Sequence, residues 1–181
     1  MKAGRDKFAE LLLYVAKTCA NDPSFGATKL NKVLFFADFI AYRKRQRSIT
    51  GATYQKLPYG PAPKCLLPAQ TTLVRSGRLA IQELDHHGTT QKRPVALRDP
   101  DLSVFEADEI AIVDSVIRQL CGMSAVEVSE MSHGFWWQIA DMKEEIPLPV
   151  ALVELPTEVS EAELTHALSL ESAGARLAGA A

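Results

Sequence analysis

Thr28 to Arg45 reads TKLNKVLFFADFIAYRKR. At about 100° per residue, Leu30, Val33, Leu34, Ala37, Ile40 and Ala41 share one helical face, with Phe36 at its edge. Phe35, Phe39 and Tyr42 form a second stripe on the far side, beside Asn31. A helix that is apolar around most of its circumference is buried between neighbours rather than laid on a surface. Thr28 is the expected N-cap, with Gly26 just before it. Lys29 and Lys32 then stand near the helix N-terminus, where the dipole disfavours a cation by up to about 1 kcal/mol. Other elements must bracket this helix. The expected fold is mainly α, of the α+β class: a compact helical domain around a buried central helix, with a small antiparallel β-hairpin or three-stranded sheet.

Working outward, residues 5 to 21 carry Phe8, Leu11, Leu12, Val15, Ala16 and Cys19 at helical spacing, and Asp22-Pro23-Ser24 turns the chain. The central helix ends in Arg43-Lys44-Arg45-Gln46-Arg47. Cations at a helix C-terminus suit the dipole; the competing reading is a patch for an anion or an acidic partner. Residues 49 to 57 are rich in β formers, and Tyr59-Gly60-Pro61 makes a turn. Pro61 suits the first turn of a helix running to Ser76, with Leu66, Leu67 and Leu73 inward and Pro68 as a kink. Arg78 to Asp85 and Pro94 to Leu97 are expected to pair as a hairpin, joined by residues 52 to 57 into one sheet. Three capping boxes follow, Ser103/Glu106, Ser124/Glu127 and Ser160/Glu163, each opening a helix. The second places Val126, Val128 and Met131 on an apolar face.

Length and composition bound the rest. A chain of 181 residues can bury a sizeable core as one domain plus an appendage. The hydrophobic fraction of 47% and charged fraction of 23% are those of a globular protein. A net charge of −2 gives no overall attraction to nucleic acid. Cys19, Cys65 and Cys121 are odd in number and widely spaced, which predicts a reducing, cytoplasmic setting. Leu11 to Ala16 is too short for a signal peptide, and nothing approaches the ~18 apolar residues of a membrane span.

The chemistry-bearing residues give few combinations. His86 and His87 are adjacent and on a strand point to opposite faces, and no other His or Cys pair has metal-ligand spacing, so no metal or cofactor is expected. Cys65 with His133 is a conceivable nucleophile pair, against a structural thiol. Asp38 with His133 is a conceivable acid–base pair, against a carboxylate that accepts backbone amides at the edge of the core. Phe135, Trp136 and Trp137 cannot all face inward from one short element, so a partner contact through Trp137 competes with packing under the C-terminal segment. Arg43, Arg45 and Arg47 are the other candidate partner contacts.

Four stretches in order resemble the Panacea-domain family, the SocA-like antitoxins. They are Thr28 to Phe39, with Lys29, Leu30, Lys32 and Asp38; Ile49-Thr50 through Tyr54 to Tyr59-Gly60-Pro61; the helix end at Gly77-Arg78-Leu79; and Ser124 to Trp136, with Ser132-His133. The family has proline before that tryptophan, where Phe135 stands here. The resemblance implies a Panacea-like domain over residues 1–142 and a C-terminal extension, 143–181, with one helix packing on it or projecting from it. It implies the antitoxin of a bacterial or phage toxin–antitoxin pair. The partner is then a cognate toxin protein, and a ClpXP-type protease where the antitoxin acts as a delivery adaptor. Lys29, Leu30, Lys32, Asp38, Tyr59, Gly60, Pro61, Ser132, His133 and Trp136 are its motif residues, structural or partner-binding. No catalysis is implied. The alternatives are a hydrolase-like enzyme with a pocket near Asp38, Tyr59 and His133, and a DNA-binding autoregulator using Arg43 to Arg47. Residues 143–181 are expected to carry partner specificity, and the terminal Leu-Ala-Gly-Ala-Ala resembles tails read by ClpXP-type proteases.

Overall fold

In the computed structural model, which describes residues 2–86, 89–134, 137–138 and 140–152, helix α1 spans Lys2–Thr18 and the central helix α2 spans Ala27–Arg45. Strands β1 (Tyr54–Leu57) and β2 (Gly60–Pro63) follow, then α3 (Leu66–Arg75), β3 (Leu79–His86), β4 (Thr89–Ala96), α4 (Ala107–Leu120), α5 (Ala125–Met131) and β5 (Glu145–Ile146). Short 3₁₀ turns occupy Leu102–Val104 and Leu148–Leu152. The class is α+β, with small antiparallel sheets. No helix among the described residues is long and apolar enough to cross a membrane.

The two stripes of α2 serve two cores. Leu30, Val33, Leu34, Ala37 and Ala41 pack with Phe8, Leu11, Leu12 and Val15 of α1 and Val113, Val116 and Leu120 of α4. Phe35 and Phe39 pack instead with Tyr54 and Ala151, while Phe36 touches both clusters. The Phe35 and Tyr54 rings meet edge-on at 5.3 Å, an arrangement favoured by the ring quadrupoles. Each fully buried side chain of this size contributes roughly 1.5–3 kcal/mol by leaving water. Burial on both sides therefore holds α2 far more firmly than its propensity does.

Several expectations are corrected. The strands do not form one sheet: β2-β1-β5 is a three-stranded sheet, and β3-β4 is a separate hairpin with Leu79 opposite Ala96. Pro61 lies in β2 and not at a helix start; α3 begins at Leu66, so Pro68 falls in its first turn, where it breaks no helical bond. Leu67 is exposed, unlike Leu66 and Leu73. The box at Ser103/Glu106 is shifted by three residues: Asp101 caps the 3₁₀ turn, and Glu106 with Glu109 makes the reciprocal box of α4. Ser124/Glu127 caps α5 as expected. Gly26, not Thr28, is the N-cap of α2. In α5 only Val128 of the expected trio is buried: Val126 lies about 200° away on the helix, and Met131 is the last residue of the helix. The expected Ser160/Glu163 helix lies outside the described residues.

Residues 145–151 pack against the rest of the domain. Tyr54 pairs with Ile146 across β1 and β5, and both are buried. Ala151 closes the aromatic core beneath Phe35 and Phe39.

Candidate functional site

Asp38 sits on the inner face of α2 and is completely buried. Its Oδ1 accepts the backbone N–H groups of Ile49 and Thr50 at 2.8 and 2.9 Å. Its Oδ2 accepts the hydroxyls of Tyr54, at 2.8 Å, and of Thr50. Burial holds the carboxyl above the usual Asp range, against the pull of these four donors. Asp38 thus ties the segment after α2 and the start of β1 back onto the helix. Its acceptor capacity is consumed there, the behaviour of the backbone-accepting carboxylate and not of an acid–base partner for His133.

Lys29 and Lys32, three residues apart, meet opposite fates. Lys29 is buried and ion-paired with Asp22 at 2.5 Å, so the turn before α2 neutralises it. Lys32 is only 1% exposed and has no carboxylate partner among the described residues. Its Nζ donates to the Pro61 carbonyl at 3.3 Å, a long bond for a cation. Burial without compensating charge pulls its pKa down to about 7.

The turn between β1 and β2 is built onto this lysine. Gly60 has φ +98°, a region L side chains rarely adopt. A Cβ there would stand 2.5 Å from Lys32 Nζ and closer still to Ser132 Oγ. Only glycine allows the turn, α2 and the end of α5 to approach so closely. Ser129 Oγ donates to the Tyr59 carbonyl at 2.9 Å, and Ser132 Oγ donates to the Ser129 carbonyl at 2.6 Å. Lys32, Gly60, Pro61 and Ser132, scattered over a hundred residues of sequence, form one junction.

His133 continues outward from it. Its ring stacks on Trp137 with centroids 4.0 Å apart and planes at 21°. Lys56 Nζ lies 4.1 Å from the centre of a Trp137 ring and donates to the Ala140 carbonyl at 2.9 Å. Trp137 Nε1 donates to the Leu57 carbonyl at 3.1 Å. Burial first, then the positive fields of Lys32 and Lys56, lower the His133 pKa; Glu130 opposes them. His133 Nε2 is buried and has no hydrogen-bond partner among the described residues. Among the described residues, Asn31 Oδ1 shares that condition, while Asn31 Nδ2 donates to the Ala27 carbonyl.

The remaining predicted residues lie elsewhere. Leu30 belongs to the core, and Tyr59 is 74% exposed at the tip of its turn. Arg45 and Arg47 are engaged by Glu106, and Arg45 also reaches Asp108 and Glu109, so these cations clamp α2 to the start of α4. Arg43 is on the same helix end. Cys65 is the N-cap of α3, and burial raises its thiol pKa, the reverse of nucleophile activation. Trp136 lies outside the described residues. A groove of about 530 Å³ between α2 and α4, lined by Ile40, Arg45, Asp108 and Ile112, contains none of the family-motif residues and one candidate partner contact, Arg45. Lys56 and Ser129 were not singled out from sequence; a lone Lys in a strand and a Ser in a helix carry no signal. Glu109 had one: it stands three residues after Glu106, just before an apolar run.

The fold and site define an α+β domain in which four motif residues, Lys32, Gly60, Pro61 and Ser132, meet at a helix–turn junction around a buried lysine. A family model described as antitoxin SocA-like, Panacea domain, matches residues 30–138, from the start of α2 to just past the stacked Trp137. That is more than half of the chain, and the chain belongs to this antitoxin-like family. No curated protein and no solved structure matches it.

Proposed function

We propose that this chain is the antitoxin of a bacterial or phage toxin–antitoxin pair and neutralises a cognate protein toxin by binding it directly in the cytoplasm. The observation that carries the reading is the family match over residues 30–138. The saturated Asp38 carboxylate and the raised Cys65 pKa are in keeping with a binding role without catalysis. Delivery of the toxin to a ClpXP-type protease is the second mode the family resemblance supports.

Residues 153–181 are proposed to carry toxin specificity. The cut that tests this falls after Leu152, since an earlier one would remove Ile146 and Ala151 from the core. Loss of capture by this truncation, with its fold verified by a thermal melt, is expected; undiminished capture would end the specificity proposal.

The test of function is co-expression of the tagged protein with the product of the neighbouring gene, alongside growth of cells carrying that neighbour alone. Toxicity relieved by this chain, with both proteins recovered in a fixed ratio, is the expected result. Rescue with little complex, and a toxin that vanishes only when the protease is present, would assign delivery instead. A harmless neighbour that does not co-purify would refute the antitoxin reading.

A further inference from the structure

We propose that the C-terminal segment of this chain folds as a helix from Ser160 and docks in the groove between α2 and α4, with Leu164 and Leu168 on Ile40 and Ile112 and Glu171 at Lys44. This docking belongs to the free chain and does not rest on the antitoxin reading. A partner that takes residues 153–181, as proposed above, would compete with the groove for them.

The groove has the shape a helix needs. Its volume is about 530 Å³, and Ile40 of α2 and Ile112 of α4 give it an apolar floor. Asp108, Ala111, Ser115 and Gln119 follow one another along the α4 wall, so the groove runs beside that helix for about 16 Å, or three turns. Ala111 and Ser115 are small and one turn apart. They let another helix axis approach to the usual ~8–10 Å.

Its charges select an acidic occupant. Among the groups that face one another here, Arg45 is matched by Glu106, Asp108 and Glu109, and Arg47 by Glu106. Glu109 is also held by Lys7. Lys44 lines the groove, is exposed, and pairs with no acid among the described residues. Residues 153–181 carry Glu154, Glu158, Glu161, Glu163 and Glu171 against Arg176. Within the helix that the Ser160/Glu163 box would open, Leu164, Ala167, Leu168 and Glu171 share one face at about 100° per residue. Thr165, Ser169, Ser172 and Arg176 lie on the opposite face. An acid set in an apolar stripe needs a cation when that stripe is covered.

Reach and direction agree with this placement. The described chain ends at Leu152, just after Ala151 packs against Phe35 and Phe39 of α2. Ile40 lies about 100° further round the same helix. That path is on the order of one helix diameter, ~10–12 Å, and residues 153–159 can span roughly 23 Å. A helix starting there and running parallel to α2 brings Leu164 and Leu168 to Ile40 first. Glu171, one turn later, then falls at Lys44, one turn after Ile40. Because the segment is tethered, its effective concentration is in the millimolar range, and a shallow groove suffices to hold it.

The experiment uses the full chain with isoleucine and leucine methyls labelled for nuclear magnetic resonance. Nuclear Overhauser contacts from Leu164 and Leu168 to Ile40 and Ile112 are expected, within one molecule. Amides 164–171 should exchange with solvent more slowly than in an isolated helix of this length, which is marginal in water. Lys44→Glu should reduce that protection by about two- to fivefold, and so should Glu171→Lys. The double exchange should restore it. Ala111→Gln, at an exposed position on the groove wall, should also reduce it. Thermal melts confirm that the variants are folded. Leucine contacts to another face, or contacts seen only between differently labelled copies, would overturn the proposal. So would amides 164–171 exchanging at random-coil rates, or a double variant no better protected than the single ones.

Discussion

Replacing Lys32 with methionine should stabilise this protein, and the gain should vanish as the pH rises. The unfolded lysine titrates near 10.5 and the folded one near 7, because 99% of its surface is withdrawn from water and no carboxylate among the described residues pairs with it. Below pH 7 both states carry the proton, and the folded state bears the whole cost of a buried ammonium. Between the two values the unfolded state binds more protons, so stability rises with pH by at most about 1.4 kcal/mol per unit. Above the unfolded value both are neutral and the dependence ends. The full span corresponds to roughly 4–5 kcal/mol. Methionine fills much the same volume without the charge, and forfeits one long bond to Pro61 worth about 1 kcal/mol. A net gain of about 2–4 kcal/mol at pH 6 follows, large against a typical domain stability of roughly 5–15 kcal/mol. Urea unfolding of both proteins, followed by circular dichroism from pH 6 to 9, measures the difference directly. Taking the difference cancels other groups that titrate in this range. The gap should be constant below about pH 7 and close by roughly 2–3 kcal/mol by pH 9. A variant less stable than the parent at pH 6, or a gap that does not change with pH, would show that Lys32 is compensated and refute the reasoning.

Three other outcomes follow from the same junctions. Asp22→Ala should destabilise by roughly 3–5 kcal/mol, since it strands the buried Lys29 ammonium; a loss under 1 kcal/mol in urea melts would mean that Lys29 escapes to solvent. Asp38→Ala leaves the Ile49 and Thr50 amides without an acceptor, at about 2–6 kcal/mol. Asp38→Asn should cost far less, because its Oδ1 keeps both amides and Tyr54 can donate to the Leu34 carbonyl, already 2.9 Å away. Equal melting temperatures for the two Asp38 variants would contradict this account. Gly60→Ala combines φ +98° with collisions at Ser132 and Lys32, and should lose about 2–4 kcal/mol. Adding Ser132→Ala should restore part of that loss, and no recovery would place the strain in the backbone alone.

Local patterns were legible where a physical rule acts over a few residues. The double apolar stripe of Thr28 to Arg45 required burial on two sides, and both stripes are buried, in separate clusters. The first helix, the 79–96 hairpin and the Ser124/Glu127 box rest on equally short-range rules of periodicity, turn chemistry and capping. For Asp38 and for Arg43 to Arg47 the sequence offered two readings each; the geometry shows Asp38, in the middle of α2, accepting the Ile49 and Thr50 amides, and Arg45 and Arg47 paired with Glu106. What failed needed distant partners. Nothing near residues 54–57 says that their sheet is completed by Glu145-Ile146 instead of the 79–96 hairpin, because strand pairing depends on which edges the helices leave open. Val126 and Met131 were assigned inward in a helix too short to define a face.

The split is sharpest at Lys29 and Lys32. From sequence they are two equivalent cations at the start of one apolar helix. The tertiary structure brings Asp22 to one, and a glycine turn, a proline carbonyl and a serine to the other. A side chain's ionisation depends on the charges within a few ångströms and on how much water it keeps. Both are properties of the packed chain. The sequence by itself determined that this helix would be buried; only the fold decided which of the two lysines would meet a counter-charge among the described residues.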